Sequence, residues 1–240
     1  NPLLWSVDNP VLYHIVTTVS TRQAILDEYE TSLGIRSFNF DAEKGFTLNG
    51  KQLKIKGVCN HHDLGCLGAA INTRALERQL ELLKEMGCNS IRTSHNPPAP
   101  ELLDLCDKMG FIVMDEAFDM WKKKKTDFDY GLDFDQWHKR DLQDMVLRDR
   151  NHPSVFIWSI GNEILEQWDS TGISLARELA GIVRELDQTR PVTSACNQPD
   201  PSNFIIKSDA LDLIGYNYHH NTFADFPKTF PGKKFIASET

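Results

Sequence analysis

The spacing of apolar residues divides the chain into two textures. Residues 1–41 show no helical period. Leu12-Tyr13-His14-Ile15-Val16-Thr17-Thr18-Val19 and Ile35-Arg36-Ser37-Phe38-Asn39-Phe40 are rich in β-branched and aromatic residues and alternate in part, which predicts strands. Two or three strands do not make a stable sheet alone, so this segment is expected to be the end of a β-sandwich. From Gly45 the pattern changes. A hairpin is expected first, Phe46-Thr47-Leu48 and Leu53-Lys54-Ile55 about an Asn49-Gly50 turn. Short apolar strands then alternate with helices. Strands are expected at about 53–58, 90–93, 111–114, 155–160, 191–194, 211–216 and 235–237. Helices are expected at about 73–86, 100–109, 135–149 and 173–186. The first places Leu76, Leu80, Leu83 and Met86 on one face and stops at Gly87; the second stops at Gly110. The third packs Leu142, Met145 and Val146, and the fourth buries Leu175, Ala176, Leu179, Ile182, Val183 and Leu186. Residues 222–231 and the connection before residue 211 read as weak helices.

Near-continuously apolar strands alternating with helices form a parallel sheet covered on both faces. Seven such strands point to the α/β class and to a (β/α)₈ TIM barrel whose last strand and helices lie beyond Thr240. The domains are then 1–41, the closing strands of the sandwich, and 42–240, barrel strands one to seven. The first residues, Asn1-Pro2-Leu3-Leu4-Trp5, carry no initiator Met and no signal-peptide pattern. A fragment cut at both ends is expected, and in isolation its open sheet edge should leave it poorly soluble and inactive.

Composition narrows the classes of partner. A net charge of −8 lacks the basic surface a nucleic-acid protein needs to replace counterions. No apolar run approaches the ~18 residues of a membrane span. The five cysteines include no C-x-x-C, which disfavours a disulfide framework or a zinc ribbon.

Catalytic residues of such barrels lie at the C-terminal ends of the strands. Those ends carry His61-His62-Asp63, Ser94-His95-Asn96, Asp115-Glu116, Asn162-Glu163, Asn197, Asn217-Tyr218-His219 and Ser238-Glu239. One glutamate ending a strand is usually a cap or a surface residue; seven polar strand ends around one rim are not so readily dismissed. Glu163 and Glu239, after the fourth and seventh strands, would sit across the barrel mouth. Two opposed carboxyls are what glycosidic cleavage requires, one to protonate the leaving oxygen and one to act at the anomeric carbon.

Further motifs are collinear over nearly the whole chain. They are Leu4-Trp5-Ser6, Gly34-Ile35-Arg36, Leu48-Asn49-Gly50, Lys56-Gly57-Val58, Ile91-Arg92-Thr93-Ser94-His95, Met114-Asp115-Glu116, Asn151-His152-Pro153-Ser154-Val155, Trp158-Ser159-Ile160-Gly161-Asn162-Glu163 and Ser238-Glu239. In these the chain resembles glycoside hydrolase family 2, the β-galactosidase, β-glucuronidase and β-mannosidase family, and most of all its bacterial β-galactosidases. The resemblance implies an immunoglobulin-like sandwich before the barrel and a retaining exo-β-glycosidase with a covalent glycosyl-enzyme. Glu163 would be the acid/base and Glu239 the nucleophile; like-charge repulsion from Glu239 would keep Glu163 protonated near neutrality. Asn162 would donate to the sugar 2-hydroxyl, Tyr218 would bond the nucleophile, and His61 and His95 would contact sugar. The bland alternatives are a turn-ordering Asn162, a core-edge Tyr218 and two structural histidines. The resemblance also implies a β-glycoside as the partner, a possible homo-oligomer through the parent protein, and a periplasmic or secreted enzyme rather than a cytoplasmic one.

The chain departs from the family in one place. Magnesium-dependent β-galactosidases have Glu-Thr-His where Met120-Trp121-Lys122 stands here, so no metal or other cofactor is expected beside Glu163. Trp121 is then available either as a platform for a sugar face or for simple packing. Lys122-Lys123-Lys124-Lys125 is either a solvated loop or an attraction for an acidic glycan. Two readings from other classes stand beside the glycosidase. A metal-dependent barrel hydrolase would use His61, His62, His95, His219 and His220, but adjacent His61 and His62 point to opposite faces of an extended segment. A non-catalytic carbohydrate-binding protein would not need both carboxyls.

Overall fold

The computed structural model describes residues 1–240. An antiparallel pair, β1 (Tyr13–Ser20) and β2 (Ile25–Leu33), comes first, in a register that sets Tyr13 opposite Leu33. β2 is not legible as a strand in the sequence. Its Asp27, Glu28 and Glu30 interrupt the apolar pattern, and both faces of the pair are largely exposed. A three-stranded antiparallel sheet follows, from β3 (Phe38–Asp41), β4 (Gly45–Leu48) and the short β5 (Lys51–Gln52). Asn49 and Gly50 both take positive φ (52 and 76), as the tight turn between β4 and β5 requires.

The remainder is a seven-stranded parallel sheet wrapped by helices. In chain order its elements are β6 (Gly57–His61), α1 (Thr73–Glu85), β7 (Ser90–Ser94), α2 (Pro100–Met109), β8 (Ile112–Glu116), α3 (Phe134–Asp149), β9 (Val155–Asn162), α4 (Thr171–Leu186), β10 (Val192–Cys196), the single turn α5 (Phe204–Lys207), β11 (Ile214–Asn217), the single turn α6 (Phe226–Thr229) and β12 (Phe235–Glu239). The strands lie in chain order from β6 to β12. The sheet curls until its two edges approach: the Cys59 thiol of β6 reaches the Ser238 carbonyl of β12 at 3.3 Å, with no ladder between the strands. A cleft of about 1380 Å³ opens along this seam, lined by Ile55, Cys59, Phe235, Ile236 and Glu239 among others.

Two apolar layers hold the barrel. Outside the sheet, Leu80, Leu103, Leu142, Val146, Leu179 and Val183 of the helices pack with Ile91, Val113 and Val155. Inside, Ile112, Met114 and Phe156 meet Phe46 and Leu48 of the small sheet, together with Trp5. The small sheet therefore plugs the N-terminal end of the barrel and leaves the C-terminal end for chemistry. Trp5 is locked there by its indole N–H on the Asp107 carbonyl at 2.8 Å. Gly110 ends α2 with φ 73 beneath the Val7 carbonyl; a Cβ there would come within 2.4 Å of that oxygen, so only glycine fits.

Three expectations need correction. The first barrel strand is Gly57–His61, because Leu53 and Ile55 pack against the inner core as irregular chain and only Lys51–Gln52 pairs with β4. Met86 is the C-cap of α1 and is exposed, being one residue beyond the last turn that faces the sheet. Most barrel strands also run further than their apolar residues, and β8, β9, β11 and β12 end on Glu116, Asn162, Asn217 and Glu239.

Candidate active site

Strand alternation decides which side chains face the barrel axis. On β8, Ile112 and Met114 point inward with Glu116, and Val113 and Asp115 point outward to the helices. The inward Glu116 is fully buried and meets Arg92 of β7 in a two-pronged pair, Nε to Oε2 at 3.0 Å and Nη2 to Oε1 at 2.9 Å. Burial alone would raise the Glu116 carboxyl. Arg92, His95 (Nδ1 to Oε1, 2.7 Å) and the Ser159 hydroxyl (2.6 Å) more than offset this and hold it below the usual carboxylate range. Arg92 continues past Glu116: Nη1 reaches Glu239 Oε2 at 3.0 Å and Nη2 reaches Asn162 Oδ1 at 2.7 Å.

The guanidinium can only donate, so Asn162 is oriented with its oxygen toward Arg92. Its amide nitrogen donates to Asp119 at 2.9 Å, which leaves one hydrogen free for a ligand. Asp119 also accepts from Lys125 Nζ at 2.7 Å, and that ammonium donates to the Asn162 carbonyl at 2.9 Å. Burial would raise the Asp119 carboxyl, but Lys125 and Asn162 hold it below its ordinary range.

The two glutamates converge on one nitrogen. Asn217 Nδ2, fully buried at the end of β11, lies 2.9 Å from Glu163 Oε1, 3.1 Å from Asn162 Oδ1 and 3.3 Å from Glu239 Oε2. Its oxygen accepts from the Ser238 hydroxyl at 2.8 Å. A nitrogen bonded to both carboxyls keeps their facing oxygens within about 6.2 Å, which is compatible with the ~5–5.5 Å carboxyl separation of retaining pairs. Glu239 also accepts from the Tyr218 hydroxyl at 2.9 Å. That bond, then partial burial and the nearby Glu163, push the Tyr218 phenol up, so it stays a neutral donor. Glu163, Tyr218 and His219 all take left-handed backbone (φ 46, 60 and 48), a clustering typical of sites where side-chain direction outweighs backbone comfort.

Of the expected site residues, Glu163, Glu239, Asn162 and Tyr218 come together in this network. His95 joins it through Glu116, and His61 packs edge-on against His95 with ring centroids 5.1 Å apart. Trp121 does not join. It is fully buried beneath β9, with its indole N–H on the Ile160 carbonyl at 2.8 Å, so it has no free face for a sugar and the packing alternative holds. The lysine run is likewise tied down: Lys122 pairs with Asp135, Lys123 with Asp169, Lys125 with Asp119, and Lys124 donates to the Asp127 carbonyl. The histidines of the metal-hydrolase reading diverge, His62 to the Ala69 carbonyl and His219 to the Asn197 carbonyl. Sequence pattern assigns no role to Arg92 or Asp119, names Asn197 and Asn217 only as polar strand ends and reads Lys125 only within the lysine run; the structure brings all five into the site. For Arg92 a signal exists, since a charge inside an otherwise buried strand needs a partner.

Two carboxyls held this close at the C-terminal mouth of a parallel barrel have the arrangement that glycosidic cleavage needs. Residues 41–233 match the TIM barrel domain of the glycosyl hydrolases family 2 and residues 1–36 match a second model of glycosyl hydrolases family 2, so the chain belongs to that family. It is 55% identical to a β-galactosidase of Bacteroides ovatus, over 100% of this chain and 32% of that protein. It is 32% identical to a β-glucuronidase of Bacteroides fragilis, over 95% of this chain and 32% of that protein. A crystal structure of a family 2 glycosyl hydrolase from Bacteroides cellulosilyticus superposes with a TM-score of 0.95 at 48% identity, covering 100% of this chain and 31% of that one. The chain spans about a third of the length of these relatives.

Proposed function

We propose that this chain carries the catalytic centre of a retaining exo-β-glycosidase acting on terminal β-galactosides. The observation that carries the reading is the single Asn217 nitrogen bonded to both Glu163 and Glu239, which fits a pair close enough for one carboxylate to attack the anomeric carbon directly. Glu239 takes the nucleophile's part. Arg92 and Tyr218 each donate to it, which aims its oxygens. Glu163 gives its proton to the glycosidic oxygen as the C–O bond breaks and the Glu239–glycosyl ester forms. Glu163 then takes a proton from water, whose oxygen attacks the anomeric carbon and releases Glu239. The free hydrogen of Asn162 serves the sugar 2-hydroxyl, and His61 and His95 line the same rim.

Galactose as the sugar rests on the 55% identity to a β-galactosidase. In the full-length protein, nitrophenyl β-galactoside should be the preferred substrate over the β-glucuronide, β-mannoside and β-glucoside. Glu163→Gln and Glu239→Gln should both abolish its turnover. Preference for another glycoside would replace the sugar, and full activity in either variant would remove the carboxylate pair from the mechanism.

A further inference from the structure

Behind Glu163 lies a chain of side-chain amides that the catalytic steps above do not use. Asn203 is fully buried and caps α5, its Oδ1 accepting from the backbone N–H groups of Ile205 (2.8 Å) and Ile206 (3.2 Å). Backbone N–H groups only donate, so this bond fixes which end of the Asn203 amide is oxygen. Its nitrogen must then donate, and it does, to Gln167 Oε1 at 3.1 Å and to the Gln198 carbonyl at 2.9 Å. Gln167 is also buried, and with its oxygen taken it turns its nitrogen to Asn197 Oδ1 at 2.6 Å. Asn197 therefore presents its nitrogen to Glu163 Oε2 at 3.2 Å. Each amide has only one satisfied orientation, and the sense is set at a helix cap three residues removed from the carboxyl.

A second chain reaches the other oxygen. Arg92 orients Asn162, and Asn217 then donates to Glu163 Oε1. Asn217 Nδ2 has two hydrogens for three acceptors, whereas Asn197 Nδ2 has Glu163 Oε2 as its side-chain acceptor. Glu163 therefore takes one amide N–H on each oxygen, from Asn217 on Oε1 and from Asn197 on Oε2, and the sense of the Asn197 bond is fixed by the relay behind it.

We propose that Gln167 and Asn203 are positioning residues that, through Asn197, keep an N–H donor on Glu163 Oε2 and so fix the orientation of the acid/base carboxyl. This inference rests on Glu163 being the acid/base. Glu239 of β12 shares the Asn217 nitrogen with Glu163, and Tyr218 after β11 lies beside it. Arg92 of β7, Glu116 of β8, and Asp119 and Lys125 after β8 stand one bond further out through Asn162, and His219 bonds the Asn197 carbonyl. Substitution of Gln167 leaves all of these in place.

The test uses the full-length protein and aryl and alkyl β-galactosides of graded leaving-group ability. Gln167→Met keeps the volume and cuts the relay. The Glu163 carboxyl then loses a donor that aims it, and kcat/KM for phenyl and methyl galactosides should fall by about tenfold or more. The dinitrophenyl galactoside needs no acid and should be turned over at close to the wild-type rate. Gln167→Glu inverts the relay: its carboxylate takes the Asn197 N–H and turns the Asn197 oxygen on Glu163, so the alkaline limb of kcat/KM should move to higher pH. Wild-type leaving-group dependence and an unmoved alkaline limb in both variants would overturn the relay, as would an equal loss on every leaving group. Glu163→Gln, run alongside, separates the two ideas. If it leaves poor leaving groups unaffected, the acid/base reading fails and the relay fails with it; if it abolishes their turnover while the Gln167 variants match wild type, the relay alone fails.

Discussion

Arg92 and Glu116 form a buried pair in which the carboxylate takes two guanidinium nitrogens and leaves Nη1 aimed at Glu239. Both side chains are almost wholly out of water, 4% and 0% exposed. Removing one partner of such a pair leaves an uncompensated charge and costs roughly 3–5 kcal/mol. Arg92→Met should therefore lower the melting temperature markedly and also cut turnover, because Glu239 and Asn162 lose the donor that orients them. Thermal unfolding and steady-state kinetics on the same preparation check both effects. A variant that melts like wild type would show that Glu116 carries no charge in the fold.

Tyr218 gives the opposite balance of stability and activity. Its ring is 46% exposed and its hydroxyl donates to Glu239. Tyr218→Phe removes little buried contact, so the melting temperature should move by no more than a degree or two, whereas kcat should fall by about tenfold or more through loss of a charge-assisted bond to the nucleophile. The phenol is held up by Glu239, burial and Glu163, so it does not ionise across ordinary assay conditions. The variant should keep the shape of the wild-type alkaline limb. A limb that disappears with the hydroxyl would mean that Tyr218 itself is the titrating group.

These residues also show where sequence pattern stops being informative. The helices are legible almost to the residue, α2 at Pro100–Met109 included, because apolar spacing, an N-terminal proline and a following glycine agree there. Strand ends read short because the residues that finish them are polar. Asp115 and Glu116, or Gly161 and Asn162, look like loop until the parallel ladder and the barrel axis give each a partner. The same reason hides the network. Asn217 and Asn197 are visible as polar strand ends, but only three-dimensional placement shows that one bridges two carboxyls and the other ends an amide chain. Trp121 misleads for the converse reason, since an aromatic in a rim loop looks available to a sugar until its indole is found under β9.

At the barrel floor, His152 donates from Nδ1 to Asp107 Oδ2 at 2.7 Å, and Asp107 also accepts from the Ser154 backbone N–H at 3.0 Å. Burial would lower the imidazole, but Asp107, with Asp149 and Asp104 nearby, lifts it above its ordinary 6.5. A group whose value is raised on folding stabilises the fold fully below its unfolded value. That contribution fades as pH climbs through the folded one. Stability should thus decline as pH rises above 6.5. His152→Gln, which can still donate to Asp107, should flatten that decline. Urea midpoints measured across this range check it; an equally steep decline in the variant would assign the loss to another group.

Asp115 sits on the outer face of β8 beside Asp149 of α3. It is fully buried and neither of its oxygens receives a hydrogen bond from an evident donor. Asp149 is also buried and takes both prongs of Arg148. Burial, and then Asp149, push the Asp115 carboxyl well above its ordinary 3.8. The protonated form of Asp115 is therefore favoured, and its hydroxyl faces Asp149. For an acid raised on folding, stability is fully present below the unfolded value and drains away as pH rises toward the folded one. An asparagine side chain in its place would keep the shape and supply a permanent N–H donor to Asp149 with nothing to ionise. Asp115→Asn should then melt close to wild type near pH 4 and progressively above it as pH rises, provided the catalytic mouth on the other face of β8 is undisturbed. Parallel melting curves at acid, neutral and alkaline pH decide the matter. A variant destabilised at every pH would show that Asp115 is held as a carboxylate by groups other than Asp149.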